Sequence, residues 1–204
     1  MLTIISASGW TIWPLLFVSI MGLAIILERV WFLRKNKISP KENLEQALTL
    51  IRKINVGQSL QSSELEELSE SSPLENILSQ GLAAFMNKAN SSQCLELMRD
   101  MASPILVRLN QYLSTLATIA TVAPLMGLFG TVLGMIEIFG SQGTNASPQQ
   151  LAQGISMALY NTAFGLLIAI PAIAGWRFLR NLADARAHDL NEATRVLLKN
   201  MYPQ

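Results

Sequence analysis

The sequence predicts an all-α membrane protein with three transmembrane helices. Half of its 204 residues are hydrophobic and only 14% are charged, whereas soluble domains carry roughly 25% charged residues. The charges are also clumped: there is none before Glu28, none between Arg108 and Glu137, and none between Glu137 and Arg177. Because a membrane span needs about 20 predominantly apolar residues, each of these gaps is long enough to hold one.

The first apolar segment predicts an uncleaved membrane anchor. No Lys or Arg precedes it, and a basic cluster follows it at Arg29, Arg34, Lys35 and Lys37. A secretory signal has the opposite order, with the basic residues ahead of the apolar run. We therefore expect the N-terminus to lie outside the cytoplasm.

The loop charges predict the orientation of the remaining segments. Basic residues also precede the second apolar segment and follow the third, while the loop between these two segments has no charge. Positive charge favours the cytoplasmic side. The predicted organisation is an outside N-terminus (1–9), a first span (10–33), a cytoplasmic helical domain (34–111), a second span (112–139), an outside loop (140–150), a third span (151–179) and a cytoplasmic C-terminal helix (180–204).

The cytoplasmic stretch contains helix start signals. Ser39-Pro40 and Ser72-Pro73 each place a capping hydroxyl before a first-turn proline, with Glu two residues further on. Apolar residues recur at helical spacing after both signals. The polar stretch 56–72 between these helices predicts a solvated connector.

Two longer helices are predicted around the second and third spans. Ser103-Pro104 is expected to open a helix that continues to Phe139. Ser147-Pro148-Gln149-Gln150 is expected to open the third span with another capping box. That helix is predicted to continue past Leu179, with an amphipathic stripe formed by Leu182, Ala185, Leu190, Ala193 and Leu197.

Small residues mark one face of the second span. Gly127, Gly130, Gly134 and Glu137 recur at steps of three, four and three residues. Small residues at such spacing let helix backbones approach closely, so the glycines are predicted to pack against another helix. Glu137 either lies at the membrane interface in contact with water or handles ions at a channel mouth.

Hydroxyls and one amide lie within the apolar runs. Thr131 in the second span and Thr162 in the third could each bond back to the carbonyl of the preceding turn. Asn161 has more bonding capacity than such a bond can absorb, so we expect it to face protein or water. Gly165 belongs to a second face of small residues, together with Ala158, Thr162 and Ala169.

Pro124 and Pro171 lie inside the predicted spans. Each removes a backbone donor and frees a carbonyl group. The freed carbonyl must be satisfied by a neighbouring group or by water. Each proline therefore predicts either a static kink in its helix or a freed carbonyl that binds a neighbouring group or water.

The sequence offers no enzyme chemistry. It has a single histidine, His188, and a single cysteine, Cys94. We find no metal-ligand spacing and no glycine-rich loop between a strand and a helix. We therefore expect no catalytic residue, no cofactor, no bound metal and no nucleic-acid partner.

Two blocks together resemble a known family. APLMGLFGTVLGMIEIFG, followed after a short loop by GISMALYNTAFGLLIAIPAIAGW, resembles the signature of the MotA/TolQ/ExbB proton-channel family, most closely its ExbB branch. The resemblance runs from about Ser103 to Asn181.

The resemblance implies a function and a set of partners. ExbB-like proteins form a pentamer in the bacterial inner membrane, with the N-terminus in the periplasm, around the single-span helices of an ExbD-like partner. The complex uses the proton-motive force to drive a TonB-like or TolA-like protein. The second and third spans line the pore, and the positions matching Thr131 and Thr162 face the partner's essential aspartate.

One departure from the family pattern leaves the mechanism open. Many relatives carry Glu where this chain has Met157, and a thioether cannot accept a proton. Three alternatives stay open: the partner's aspartate acts with Thr131 and Thr162 alone, Ser156 and Asn161 hold water in place of the acid, or Glu137 acts instead. The rival interpretations are a TolQ-like motor for envelope integrity and a pentameric scaffold that conducts no protons.

Overall fold

The computed structural model describes residues 12–33, 41–55, 73–142 and 147–202. Within these residues the chain is 94% helical and contains no strand. Six helices follow one another: α1 (Ile12–Phe32), α2 (Lys41–Asn55), α3 (Pro73–Met86), α4 (Ser91–Asn110), α5 (Leu113–Gln142) and α6 (Pro148–Met201).

Three helical stretches are long and apolar enough to cross a membrane: Ile12–Phe32, Ser91–Gly140, which includes α5, and Pro148–Met201. This confirms the predicted class, an all-α membrane protein with three spans. The predicted segments 1–9 and 56–72 and the start signals Ser39-Pro40 and Ser72 lie outside the described residues. The side of the membrane on which each loop lies stays a prediction.

One compact unit consists of residues 1–29 and 112–179. Its described part contains most of α1, all of α5 and the first part of α6. The helices approach at small residues: a Cβ placed on Gly22 would lie 3.5 Å from Ile119, and one on Gly175 would lie 2.8 Å from Ile26. Many large apolar side chains of this unit are exposed, as expected for a surface that meets lipid or other subunits.

Arg29 is a buried charge near the end of α1. It is only 2% exposed, and its Nε lies 2.7 Å from the carboxylate of Glu28. Its guanidinium lies 5.0 Å from the ring centre of Tyr112, which has a left-handed backbone with φ 61°. The sequence reveals Arg29 only as an orientation signal, because nothing in the local pattern indicates that it is covered.

The second unit consists of residues 30–111 and 180–204. Helix α3 packs against α2 and α4, and its core side chains are fully enclosed (Leu74, Ile77, Leu78 and Leu82). The end of α6 contributes Tyr202, whose ring meets Phe85 edge to face at 5.3 Å. The Tyr202 hydroxyl donates to the Ala89 carbonyl at 2.5 Å.

The structure corrects the predicted start of the second long helix. Helix α4 begins at Ser91, because Asn90 and Gln93 form a reciprocal capping box. Pro104 therefore lies inside α4 rather than at its start. The predicted continuous helix to Phe139 is also wrong: Gln111 has an extended backbone and Tyr112 a left-handed one, so α4 ends at Asn110 and α5 begins at Leu113.

The start of α6 agrees with the sequence. The Ser147 hydroxyl accepts from the Gln150 backbone N–H at 3.3 Å, and the Gln150 side chain accepts from the Ser147 N–H at 3.1 Å. The helix then continues to Met201. The predicted stripe holds for Leu190, Ala193 and Leu197, which are buried, but not for Ala185, which is exposed. Ala183 is buried in its place.

Helix α3 ends in a turn that holds Lys88 in a left-handed conformation, with φ 58°. The Ala89 N–H donates to the Ala84 carbonyl at 3.1 Å, and the Lys88 N–H donates to the Phe85 carbonyl at 3.0 Å. These are the two bonds of a Schellman motif, in which glycine is the favoured residue at the left-handed position. Lys88 therefore keeps some backbone strain.

Lys88→Gly should stabilise the second unit by about 0.5–1 kcal/mol, because glycine has no Cβ to strain at positive φ. The buried thiol of Cys94 donates to the Gly81 carbonyl at 3.4 Å, so its labelling by a maleimide reports opening of the α3–α4 pair. Labelling of Lys88→Gly should be slower than that of the unsubstituted protein. Lys88→Ala, which removes the charge but keeps the Cβ, should show no such gain; equal slowing in both variants would contradict the backbone explanation.

The same unit should lose stability in alkali. Burial raises the pKa of the Cys94 thiol above its ordinary 9.0, and burial together with the nearby Cys94 raises the pKa of Tyr202 above its ordinary 10.0. The folded chain thus holds these protons more tightly than the unfolded chain does. Stability is therefore full below the ordinary pKa of the thiol and falls as the pH rises through the raised values. Denaturation followed by circular dichroism at increasing pH should show this fall, and Cys94→Ala should make it shallower; a fall of the same steepness in Cys94→Ala would exclude the thiol as a contributor.

Candidate functional site: a hydroxyl pair between α5 and α6

The glycine face of α5 lies directly against α6. A Cβ on Gly127 would lie 2.7 Å from the Asn161 carbonyl oxygen, and one on Gly165 would lie 2.7 Å from the Ala123 carbonyl oxygen. Gly134 faces Ala158, with 3.1 Å to its Cβ. The two backbones therefore approach to a distance that only glycine allows at these positions.

The close approach brings Thr131 and Thr162 together. Their hydroxyl oxygens lie 2.5 Å apart. The Thr131 oxygen is also 3.1 Å from the Gly127 carbonyl of its own helix and 3.1 Å from the Ala158 carbonyl of α6. The Thr162 oxygen lies 3.3 Å from the Gly127 carbonyl across the interface. Both hydroxyls are thus engaged with the opposite helix as well as with each other.

A count of hydrogens shows that this cluster has more than one arrangement. Two hydroxyls supply two hydrogens. One hydrogen occupies the bond between the two oxygens, and the other is donated to a carbonyl. If Thr131 donates to Thr162, then Thr162 donates to Gly127; if Thr162 donates to Thr131, then Thr131 donates to Gly127 or Ala158. The same atoms therefore support two opposite directions of donation.

Asn161 lies beside the pair, on the face that meets Gly130. A Cβ on Gly130 would lie 3.0 Å from the Asn161 Cβ and 3.1 Å from its Nδ2. The residue is 3% exposed, and among the described residues its Oδ1 has no hydrogen-bond partner. The sequence indicates that Asn161 needs protein or water around it, and the structure gives it the protein of α5.

The other candidates lie apart from this cluster. Glu137 is exposed. Ser156 is exposed, and its hydroxyl donates to the Ala152 carbonyl of its own helix at 2.9 Å. Met157 and Pro124 are half-buried, and Pro171 is exposed. No group of three or more His, Cys, Asp or Glu side chains that could hold a metal occurs in the part of the chain that the structure describes.

Gly154 also belongs to this interface, although the sequence reasoning missed it. A Cβ at Gly154 would lie 2.7 Å from Ile138. Gly154 precedes Ala158 by one helical turn, so extending the small-residue face of α6 backwards by four residues would have found it.

Comparison with known proteins matches this region to a described family. The model of the MotA/TolQ/ExbB proton channel family matches residues 69–192, more than half of the chain. The chain belongs to the MotA/TolQ/ExbB proton channel family. The family match includes both threonines, Asn161 and the whole α5–α6 glycine interface.

Curated members of the MotA/TolQ/ExbB family share substantial identity with the chain. Biopolymer transport protein exbB1 of Vibrio cholerae is 34% identical over 185 residues, which cover 86% of the chain and 77% of that protein. The putative biopolymer transport protein ExbB-like 3 of Synechocystis is 30% identical, covering 86% and 83%. The Tol-Pal system protein TolQ of Haemophilus influenzae is 37% identical over 93 residues, covering 43% and 41%. The chain is therefore a multi-pass membrane protein of the ExbB/TolQ type.

Gly127→Ala should disrupt the α5–α6 interface. The added methyl group would meet the Asn161 carbonyl oxygen at 2.7 Å, and a backbone atom cannot move aside as a side chain can. Overpacking of this kind costs typically about 1–3 kcal/mol, so thermal unfolding in detergent should occur at lower temperature. Gly140→Ala is the matched control, because nothing lies within 4 Å of its Cβ position. Equal destabilisation of both variants would show that loss of glycine itself, not the close contact, is responsible.

Proposed function

We propose that this chain is a proton-conducting, energising subunit of the ExbB/TolQ type. In this proposal it forms a homo-oligomer, a pentamer by family resemblance, in the bacterial inner membrane, with its N-terminus in the periplasm and its C-terminus in the cytoplasm. The oligomer surrounds the single span of an ExbD-like partner. Together they couple the proton-motive force to a TonB-like transducer that energises outer-membrane receptors.

The single observation that carries the proposal is the Thr131–Thr162 pair. Polar groups within apolar spans are costly and usually serve a polar path or partner. Here two helices supply one hydroxyl each, and glycines hold the oxygens 2.5 Å apart. If the two hydroxyls only needed hydrogen-bond partners for stability, each could bond to carbonyls of its own helix. Thr121 does so with the Ala117 and Thr118 carbonyls.

Because the hydroxyl pair can donate in either direction, it is suited to transfer a proton from one hydroxyl to the other. When a proton arrives at one hydroxyl, the hydrogen between the oxygens can shift, and the second hydroxyl can release its own hydrogen. No charge has to remain on either threonine, because a hydroxyl does not hold an extra proton near neutral pH. The group that stores the proton must therefore belong to something else, and the carboxylate of the single-span partner fits that role.

Removing either hydroxyl should reduce proton flux. Thr131→Val and Thr162→Val keep the side-chain shape but remove the hydroxyl–hydroxyl bond, so that the other hydroxyl keeps only a carbonyl partner and has no hydroxyl to exchange a proton with. A buried hydrogen bond contributes about 0.5–1.5 kcal/mol, so we expect flux to fall by about twofold to tenfold. The measurement uses liposomes that contain the chain with its ExbD-like partner and an enclosed pH-sensitive dye.

Thr121→Val is the control for these variants. Thr121 lies on α5, is exposed, and bonds only within its own helix, so its loss should leave flux unchanged. Because Thr131 and Thr162 act as one unit, the double variant should lose about as much flux as either single variant. Undiminished flux in both single variants would rule out the hydroxyl path.

A non-conducting scaffold is the second candidate, and Met157 favours it. The resemblance leads us to expect an acid at this position in many relatives, yet Met157 is a half-buried thioether. In that case the oligomer anchors envelope partners without passing protons. Flux in the same liposomes no higher than in liposomes lacking the partner would favour the scaffold.

Within the motor class, a TolQ-like role in envelope integrity is the alternative to receptor-driven uptake. Both ExbB-named and TolQ-named proteins resemble the chain. We favour the ExbB role because the similarity to exbB1 covers most of both chains, whereas the similarity to TolQ covers less than half of each. Neighbouring genes provide the test, since Tol and lipoprotein genes beside this one would indicate the envelope role.

A further inference from the structure

The amide of Asn161 has a buried oxygen that this chain leaves unpaired. Asn161 is only 3% exposed, and its Oδ1 has no hydrogen-bond partner among the described residues. The side chain is held over Gly130, with its Cβ, Cγ and Nδ2 all 3.0–3.1 Å from the position of a Gly130 Cβ. It belongs to the same interface as the hydroxyl pair, one residue away along each helix.

The described residues around Asn161 have no donor left for this oxygen. The backbone N–H groups of α5 and α6 are committed to the carbonyls of their own helices. The two hydroxyl hydrogens are committed as well, one between Thr131 and Thr162 and the other to a carbonyl. Because no described residue is left to donate to Oδ1, we infer a donor from outside the chain.

An outside donor is strongly favoured on energetic grounds. A buried acceptor without a partner costs about 1–3 kcal/mol, and inside a membrane no bulk water relieves that cost. A hydrocarbon side chain of the same shape would avoid it. Asn161 therefore destabilises the membrane unit unless its Oδ1 accepts a hydrogen bond.

The burial of Oδ1 limits what this donor can be. Oδ1 is buried, so any donor that reaches it has to displace the atoms around it, and the smallest donor requires the least displacement. Water is the smallest O–H donor and commonly bridges buried polar groups. We propose that Asn161 Oδ1 anchors a water molecule between α5 and α6, beside the Thr131–Thr162 hydroxyl pair.

The proposed water adds a further group to the proton path. Its role in proton transfer rests on the proposed proton-conducting function. A bound water donates one hydrogen to Oδ1 and can donate the other to a threonine oxygen, which keeps spare acceptor capacity. Neither an amide nor a hydroxyl holds a proton near neutral pH. Water next to the pair would supply the oxygen through which a proton passes between the hydroxyls and the titrating group of the partner. Asn161 is then a positioning residue for that water.

Magnetisation transfer from water in solid-state NMR tests the site directly. The probe is water itself, applied to the full ¹³C,¹⁵N-labelled chain in lipid bilayers without the partner. The Asn161 Cγ signal, assigned by its loss in Asn161→Leu, should receive magnetisation at short mixing times. The exposed amide of Asn200 serves as the positive reference and the buried Ala123 methyl as the negative one.

The outcomes of this experiment separate the sources of the donor. Transfer to Asn161 Cγ in the chain alone supports the water site. A Cγ shift that appears only after the single-span partner is added, without transfer from water, overturns it in favour of a partner group. No transfer and no shift in either sample overturns it as well, and leaves the amide as a packing group.

Proton flux then tests whether the path uses this water. Asn161→Leu should lower flux by about tenfold, while its thermal stability changes little, because the apolar side chain removes the buried oxygen together with its need for a partner. Tyr160→Phe, a change at the exposed neighbouring residue, should keep flux. Unchanged flux in Asn161→Leu would overturn the positioning role. Absence of flux in the unsubstituted complex would instead contradict the proposed function, without affecting the NMR result on the water site.

Discussion

The close contact between α5 and α6 at Gly127 and Gly165 determines the geometry of the membrane unit. Each glycine occupies a position where a methyl group would lie 2.7 Å from a carbonyl oxygen of the other helix. Apolar helices in lipid gain little from the hydrophobic effect, so their association depends on such packing and on hydrogen bonds. The 2.5 Å distance between the two threonine oxygens is a consequence of this contact, since longer side chains would separate the helices and leave each hydroxyl with its own turn.

The polar groups at this interface are all neutral. Thr131, Thr162 and Asn161 offer hydroxyl and amide atoms, and two backbone carbonyls complete the set. Neutral groups are far cheaper than charges to place in a membrane, which explains how the helices can stay apolar elsewhere and still hold a polar cluster. It also means that the cluster can pass hydrogen bonds but cannot store a proton.

Much of the fold could be predicted from the sequence, because charge gaps, helical spacing and capping boxes are local signals. The spans and the start of α6 follow from them. The start of α4 could not be predicted in this way, because Ser103-Pro104 resembles a helix cap as closely as Asn90 and Gln93 do. Only the folded chain shows which of the two pairs forms the capping hydrogen bonds. The pairing of Thr131 with Thr162, the packing of Asn161 on Gly130 and the burial of Arg29 depend on contacts between distant segments, which no local pattern encodes.

The difference between Met157 and Asn161 gives the site its particular chemistry. The family resemblance leads us to expect an acid at position 157 in many relatives, where this chain has a thioether that cannot titrate; four residues later it has an amide, which can bind but not titrate. On a helix, residues four apart lie on nearly the same face, so the chain has in effect a binding group one turn from a position where an acid is expected. In the proposed proton path through this interface, the partner supplies the titrating group and water supplies the mobile oxygen. The chain itself supplies the hydroxyls, the amide and the close glycine contact that holds them in place.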